Sequence, residues 1–338
     1  MVFPERSCTN KEISVEAEIG QDALAPCGAD LQTPRLKIGT RGSRLALAQA
    51  EETRTRLAAA HGFAPEEIEI IAITTTGDRI RDRPLSEIGG KGLFTKEIEE
   101  ALLSGAIDLA VHSMKDMPAA LPASLTIAAY LPREDARDAF ISNLCSRIAD
   151  LPQACTVGSA SVRRAAQLKR LRPDITIVNL RGNVETRLAK LDRGEVAATF
   201  LACAGLNRLG LSHRITAPIP ENEMLPAVAQ GAIGIEIRED DTRMRDLLAA
   251  VNDTPTEIAV ICERAFLATL DGSCRTPIAG HATIKDGVIS FRGEALTLDG
   301  RMTFTAERSG PVADAARLGR EAGEEVKAKG GSHLLHLS

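Results

Sequence analysis

Residues 107–118 read IDLAVHSMKDMP, an apolar run that ends in a cluster of ionisable side chains. Leu109, Ala110 and Val111 have the length and continuity of a strand covered on both faces. The preceding FTKEIEEALL, residues 94–103, has helical spacing and is closed by Gly105. Phe94, Ile98, Ala101 and Leu102 put one apolar stripe along it. Helix into buried strand is βαβ grammar, and in open parallel sheets ligands bind outside the carboxyl ends of the strands. His112, Ser113, Lys115 and Asp116 are therefore expected at the mouth of a crevice, with Asp116 the first candidate for chemistry. The plainer reading, in which Lys115 and Asp116 only solvate a loop, stays open at this point.

The same grammar extends in both directions. LKIGT (36–40) reads as a strand that runs through Arg41 into a helix capped by Ser43. IEIIAITTTGD (68–78) is a second strand, followed by RIRDRPLSEIGGKGLF (79–94), rich in Gly, Pro and charge and expected to be mobile. Beyond Pro118 come LTIAAY (125–130) and DAFIS (138–142), with PREDAR (132–137) an expected interdomain crossing. TVGSASVRRAAQLKRL (156–171), ITIVNLRGNVETRLAKL (175–191) and AATFLACAGLNRLGL (197–211) form a second α/β set. LPAVAQGAIGIEIR (225–238) is expected to return to the first, so that two crossings form a hinge.

From Thr254 the pattern changes. Ile258, Ile261, Cys262, Ala265, Phe266 and Thr269 fall on one helical face, then strands are separated by the hairpin dipeptides Asp286-Gly287 and Asp299-Gly300. VADAARLGREAGEEVKAK (312–329) reads as a closing helix. The expected fold is α/β: two doubly wound domains plus a small α+β C-terminal domain with a three-stranded antiparallel sheet. Residues 35–134 and 229–250 would form the first domain, 135–228 the second and 251–338 the third, after a disordered extension over 1–34.

Composition narrows the function. The 338 residues suffice for two or three domains. Trp is absent, Tyr occurs once and the net charge is -5, which argues against base stacking and against a general nucleic-acid binder. No stretch reads as a membrane span. Seven cysteines, at 8, 27, 145, 155, 203, 262 and 274, are odd in number and lack C-x-x-C spacing, against both a disulfide framework and a zinc site. Residues 1–34 have no basic segment followed by an apolar one, so they do not read as a secretory signal. A monomer in the reducing cytosol, without a metal, is expected.

Several arginines fall at strand-to-helix junctions. Ser159 and Ser161 precede Arg163 and Arg164 at a helix start, Arg181 ends the next strand, Arg187 follows about a turn later, and Arg41 adds to them from the first domain. Guanidinium forks beside helix N-termini suit a ligand with more than one carboxylate or phosphate. Arg170 and Arg172 are read as solvent decoration. Neither G-x-x-x-x-G-K-[ST] nor G-x-G-x-x-G occurs, which lowers a nucleotide reading.

Cys274 lies in DGSCRTPIAG, and a cysteine after a helix C-terminus gains nothing from the dipole. On its own it reads as a packed apolar residue. The run ERAFLATLDGSCRTPIA (263–279), however, resembles the cofactor-attachment signature of the hydroxymethylbilane synthase (porphobilinogen deaminase) family. GTRGSRLALAQA, IGGKGLFTKEIE, LAVHSMKDMP, REDARDAF, VGSASVRRAAQL, LRGNVETRL, CAGLNRLGL and LPAVAQGAIGIE extend the resemblance over roughly residues 35–330.

The resemblance implies three domains, the first two similar to periplasmic binding proteins, and a dipyrromethane cofactor joined by a thioether to Cys274. It implies stepwise condensation of four porphobilinogen molecules with loss of ammonia, then hydrolytic release of a linear tetrapyrrole. Lys115, Arg163, Arg164 and Arg187, with Ser159 and Ser161, would bind cofactor carboxylates. Arg41, Ser43, Arg181, Arg187 and Arg208 would serve the incoming substrate or growing chain. Asp116 would be catalytic, holding pyrrole N–H groups and stabilising a cationic azafulvene. Arg137 matches a family arginine that would instead tie domains, and Lys91 and Lys96 would lie in a mobile cover. Arg44 would alter substrate contacts locally. A non-enzymatic solute-binding module is the alternative: it would share the two hinged lobes but need neither Cys274 nor a third domain.

Overall fold

The computed structural model describes residues 35–79, 92–272 and 276–335. The expected disordered extension, most of the expected mobile cover with Lys91, and Cys274 itself lie outside these residues.

Three sheets organise the chain. The first comprises β1 (Leu36–Arg41), β2 (Ile68–Ile73), β3 (Leu109–Ser113), β4 (Leu125–Tyr130) and β10 (Ile233–Arg238), in the order β2-β1-β3-β10-β4. The second comprises β5 (Asp138–Ser142), β6 (Thr156–Gly158), β7 (Thr176–Val178), β8 (Ala198–Ala202) and β9 (Ala217–Pro218), in the order β7-β6-β8-β5-β9. β1 runs parallel to β2 and β3, and β6 runs parallel to β7 and β8. Each sheet also holds one strand that enters antiparallel to its neighbours, β10 in the first and β5 in the second. Both of these strands directly follow a passage of the chain from one sheet to the other. Residues 132–137 and the segment leading into β10 are therefore the two crossings.

The third sheet, β11 (Ile278–Lys285), β12 (Val288–Leu296) and β13 (Thr303–Pro311), is an antiparallel meander. At the first turn Asp286 and Gly287 have φ of 51° and 76°, the left-handed pair that a two-residue hairpin turn requires. The second is longer: β12 ends at Leu296, and Asp299-Gly300 sits inside a loop over residues 297–302.

The helices follow their caps. α1 (Arg44–His61) starts at Ser43, whose hydroxyl accepts from the Ala46 N–H. After the short α2 (Thr76–Arg79) and α3 (Lys96–Leu103), α4 (Val162–Leu171) is capped by Ser161 and α5 (Val184–Asp192) by Asn183. α6 (Cys203–Arg208) and α7 (Thr242–Ala249) precede α8 (Thr254–Thr269), which starts at Asp253 with Pro in its first turn. α9 (Ala315–Gly330) closes the domain.

α8 presents a face different from the expected one. Ile261 is 38% exposed, whereas Glu263 is fully buried beside Cys262 and Phe266. A charged side chain takes the core position because, as shown below, it has partners there. The core under the third sheet joins Phe266, Phe291, Ile289 and Leu318 to Met114 and Met117 of the stretch after β3. Gly234 on β10 allows this approach, since a Cβ there would meet Met114 Sδ at 2.1 Å.

Candidate active site

β3 delivers its last residues into a turn of 3-10 helix, Met114–Asp116. Met114 and Met117 point down into the core, so the turn between them presents a half-buried Lys115 and an exposed Asp116. Ser113 is fixed to α1 by Gln49, whose Nε2 donates to the hydroxyl at 2.8 Å. His112 does not join the crevice mouth. It is buried, with Nε2 2.9 Å from Glu236 Oε2 on β10, because β3 lies inside the sheet between β1 and β10 and is covered on both faces.

Lys115 Nζ donates to Gln230 Oε1 at 3.3 Å. Gln230 Nε2 in turn donates to the Ala136 carbonyl at 2.7 Å and to Asp138 Oδ1 at 2.9 Å. Asp138 opens β5, is fully buried, and receives Arg163 Nη1 at 2.7 Å and Arg164 Nη2 at 2.7 Å. Burial alone would raise its pKa, but the two guanidinium charges outweigh that and hold the carboxyl well below the usual range. Arg163 Nη1 also donates to the Leu225 carbonyl, and Arg164 Nη1 to that of Phe200. Both arginines thus stand beneath the site with most donors committed. Arg163 Nε is buried and has no partner among the described residues.

Arg187 projects from α5, its Nε donating to the Gly182 carbonyl at 2.9 Å. Burial pushes its pKa down to about 10; the nearby charges of Arg164 and Arg181 push the same way, and Asp116 opposes them. Burial likewise brings Lys115 down to about 8, with Asp116 and Asp138 favouring its charge and Arg164 and Arg163 opposing it. Lys115, Asp116, Arg164, Arg181 and Arg187 therefore share one electrostatic neighbourhood. Among the described residues, no carboxylate lies within ion-pair distance of Lys115, Arg181 or Arg187. Ser159 Oγ accepts from the Ser161 N–H at 3.2 Å, and Ser161 Oγ caps α4 by accepting from the Arg164 N–H. Ser159 Oγ also donates to the Ser161 carbonyl at 3.3 Å.

Other expected residues have different partners. Arg41 makes a two-bonded pair with Asp78 and lies 4.1 Å from the centre of the Phe94 ring. Ser43 serves as the α1 cap. Arg208, its side chain 8% exposed, donates to Glu52 at 3.0 Å and to the Gly231 carbonyl at 3.1 Å. That geometry ties α6 to α1 and to a crossing. Arg137 pairs with Asp135 inside its own segment at 2.7 Å and makes no ion pair to another element among the described residues. Arg44 reaches Glu185 on α5 at 2.8 Å, and Lys96 is exposed 3.9 Å from Glu100. Arg170 is not solvent decoration: it meets the fully buried Glu294 of β12 at 3.0 Å. Arg172 is pinned by Asp174 and by the carbonyls of Ile148 and Leu151.

Sequence reasoning missed Asp138, Gln230 and Arg264. Asp138 carried a signal, a lone acid opening the apolar strand DAFIS. Arg264 of α8 donates Nη2 to the Pro118 carbonyl at 2.7 Å and to that of Ala119 at 3.2 Å. It links the chain just beyond Asp116 to the helix that leads toward residue 274.

Cations without carboxylate partners among the described residues, beside one exposed carboxylate, fit a compound with several acidic side chains and polar N–H groups. The family described as "Porphobilinogen deaminase, dipyromethane cofactor binding domain" matches residues 36–246. "Porphobilinogen deaminase, C-terminal domain" matches residues 257–328. A curated relative from Paracoccus denitrificans, named porphobilinogen deaminase, is 57% identical over 300 residues, covering 89% of this chain and 96% of the relative. Among solved structures, the BvgS periplasmic VFT2 domain of Bordetella pertussis is 15% identical over 64% of this chain and 86% of its own, with a TM-score of 0.38. A periplasmic substrate-binding protein of an ABC transporter from Coxiella burnetii is 16% identical over 64% of this chain and 91% of its own, with a TM-score of 0.39. Among the described residues no helix is long and apolar enough to cross a membrane.

Proposed function

The chain belongs to the porphobilinogen deaminase family, and from that premise we propose how its residues act as a hydroxymethylbilane synthase. The reaction is the condensation of four porphobilinogen molecules with loss of ammonia, followed by hydrolytic release of the linear tetrapyrrole. The observation that carries the assignment of residues is the placement of Lys115 and Arg187 near the exposed Asp116, with Arg181 near Arg187 and none of the three cations in an ion pair with a carboxylate among the described residues.

When bound, the dipyrromethane cofactor supplies the pyrrole to which the first substrate is joined. Lys115 and Arg187 would hold its acetate and propionate groups, with the Ser161 hydroxyl adding a donor and that of Ser159 turning from the Ser161 carbonyl to add a second. Arg163 and Arg164 act from below: their ion pairs with Asp138 fix the α4 N-terminus, and their positive field reaches the site. Arg181 and Arg187 would take carboxylates of the incoming porphobilinogen or growing chain. Arg41 and Ser43, at the carboxyl end of β1, would serve it too.

Asp116 is the catalytic carboxylate in this reading. As the C–N bond breaks and ammonia leaves, positive charge develops on the substrate, and a fixed carboxylate beside it stabilises that charge. After the new C–C bond forms, the same oxygen can accept the proton lost from the pyrrole carbon. Cys274 would anchor the cofactor by a thioether. In support, Cys203 and Cys262 are buried, with thiols pushed up to about 12, which keeps them protonated and poor nucleophiles.

The same reading takes the chain as a cytosolic monomer that binds neither membrane nor nucleic acid. Its domains would be 35–134 with 229–250, 135–228, and 251–338. Incubation with porphobilinogen, with ammonia and hydroxymethylbilane measured together, tests the reaction. Four ammonia per tetrapyrrole is expected; substrate bound without ammonia release would favour the solute-binding alternative.

A further inference from the structure

Gln230 lies where the chain crosses back toward β10 and is 1% exposed. Its side chain faces a cation at one end and an anion at the other. Oε1 accepts from Lys115 Nζ, while Nε2 donates to Asp138 Oδ1 and to the Ala136 carbonyl of the other crossing. Its backbone carbonyl accepts from Arg133 Nε at 2.9 Å. We propose that Gln230 is a positioning residue of the anion site, an amide adaptor that holds the Lys115 ammonium and the Asp138 carboxylate in place without letting them neutralise each other.

A carboxamide carries an acceptor and two donors on one rigid plane, so it can satisfy an ammonium and a carboxylate together. A glutamate in the same place would set a like charge against Asp138, and a lysine would repel Lys115. An apolar residue would leave Nζ without its acceptor. Direct pairing of Lys115 with Asp138 would consume both charges, whereas here Asp138 spends its charge on Arg163 and Arg164. Lys115 also faces Asp116, which favours its charge, and the two arginines, which oppose it. Burial already brings that ammonium down to about 8, so losing the Gln230 acceptor would move its titration further toward neutral pH. Because Gln230 also bonds Ala136, it stitches the two crossings directly beneath Lys115.

The inference rests on the reading of Lys115 as a binder of ligand carboxylates. The test is competitive acetylation of Lys115 across pH, read by peptide mass spectrometry, on the full chain as wild type, Gln230→Met and Gln230→Glu. Each is measured with and without prior incubation with porphobilinogen. Gln230→Met should lower the Lys115 titration midpoint by half a pH unit or more, and Gln230→Glu should raise it by a unit or more. KM for porphobilinogen should rise several-fold at pH 8 in Gln230→Met, with a smaller change in kcat. If Gln230→Glu does not fold, Gln230→Met decides alone. An unmoved midpoint in a folded variant, with Lys115 protected by porphobilinogen, overturns the inference only. A midpoint that moves while porphobilinogen gives no protection overturns the ligand role of Lys115, and the inference with it.

Discussion

Arg133, in the first crossing, and Glu263, on α8, meet through two parallel hydrogen bonds of 2.6 and 3.1 Å. Glu263 is fully buried, and it also accepts from the Ala229 and Ala282 N–H groups. One carboxylate therefore joins both crossings to β11 and explains why a charged residue occupies the core face of α8. Removing Arg133 would leave that charge buried without a cation. Arg133→Met is expected to cost about 3–5 kcal/mol, measured by denaturant unfolding; a loss under about 1 kcal/mol would contradict the role of the pair.

Asp116 is exposed and joins no ion pair among the described residues, so the fold asks little of its charge. Asp116→Asn should leave stability within about 0.5 kcal/mol of wild type and lower turnover by about 10²-fold or more. Steady-state assays with porphobilinogen check this, and retained turnover would remove Asp116 from the chemistry.

Asp138 gives the molecule an acid-sensitive element. Its folded carboxyl lies below the ordinary value of 3.8, held there by Arg163 and Arg164 against the cost of burial. A carboxyl with a lowered pKa contributes stability above its unfolded value and loses that contribution as pH falls through its folded one. Asp138→Asn should therefore flatten the fall in stability below about pH 4. At neutral pH it should cost about 3–5 kcal/mol, because two buried guanidinium groups lose their counter-charge. Chemical unfolding of both proteins between pH 7 and pH 3 provides the comparison. A parallel acid limb in the variant would show that the pair is not the source.

Gly300 presses the third domain's second turn onto α4. It has φ of 72°, and a Cβ there would meet the Ala166 carbonyl oxygen at 2.3 Å. The Arg170–Glu294 pair joins α4 to β12, the strand before that turn. Gly300→Ala combines left-handed strain with a backbone clash and should cost about 2–4 kcal/mol. Thermal unfolding of the variant measures it, and an unchanged midpoint would mean that the turn can move freely away from α4.

The order of elements was legible because buried strands, caps and hairpin dipeptides are local signals. IDLAVHSMKDMP, Ser43, Ser161 and Asp286-Gly287 each act through their own few residues. Asp116 and Lys115 could be placed just past a strand end because the apolar run stops before them. Partners were harder to read. Arg163, Arg170 and Arg208 look alike in a sequence, yet they are separated by carboxylates 25, 124 and 156 residues away. His112 was misplaced because its partner, Glu236, comes from a strand that returns only after the second sheet. Gln230 stayed hidden because a neutral amide shows its value only where a cation and an anion flank it.

The most direct measurement is the intact mass of freshly purified protein beside its Cys274→Ser variant, both after incubation with porphobilinogen. The account predicts a wild-type mass excess of two condensed pyrrole units, absent from the variant. A wild-type chain that stays unmodified, or a variant that carries the same excess, would contradict a dipyrromethane anchored at Cys274.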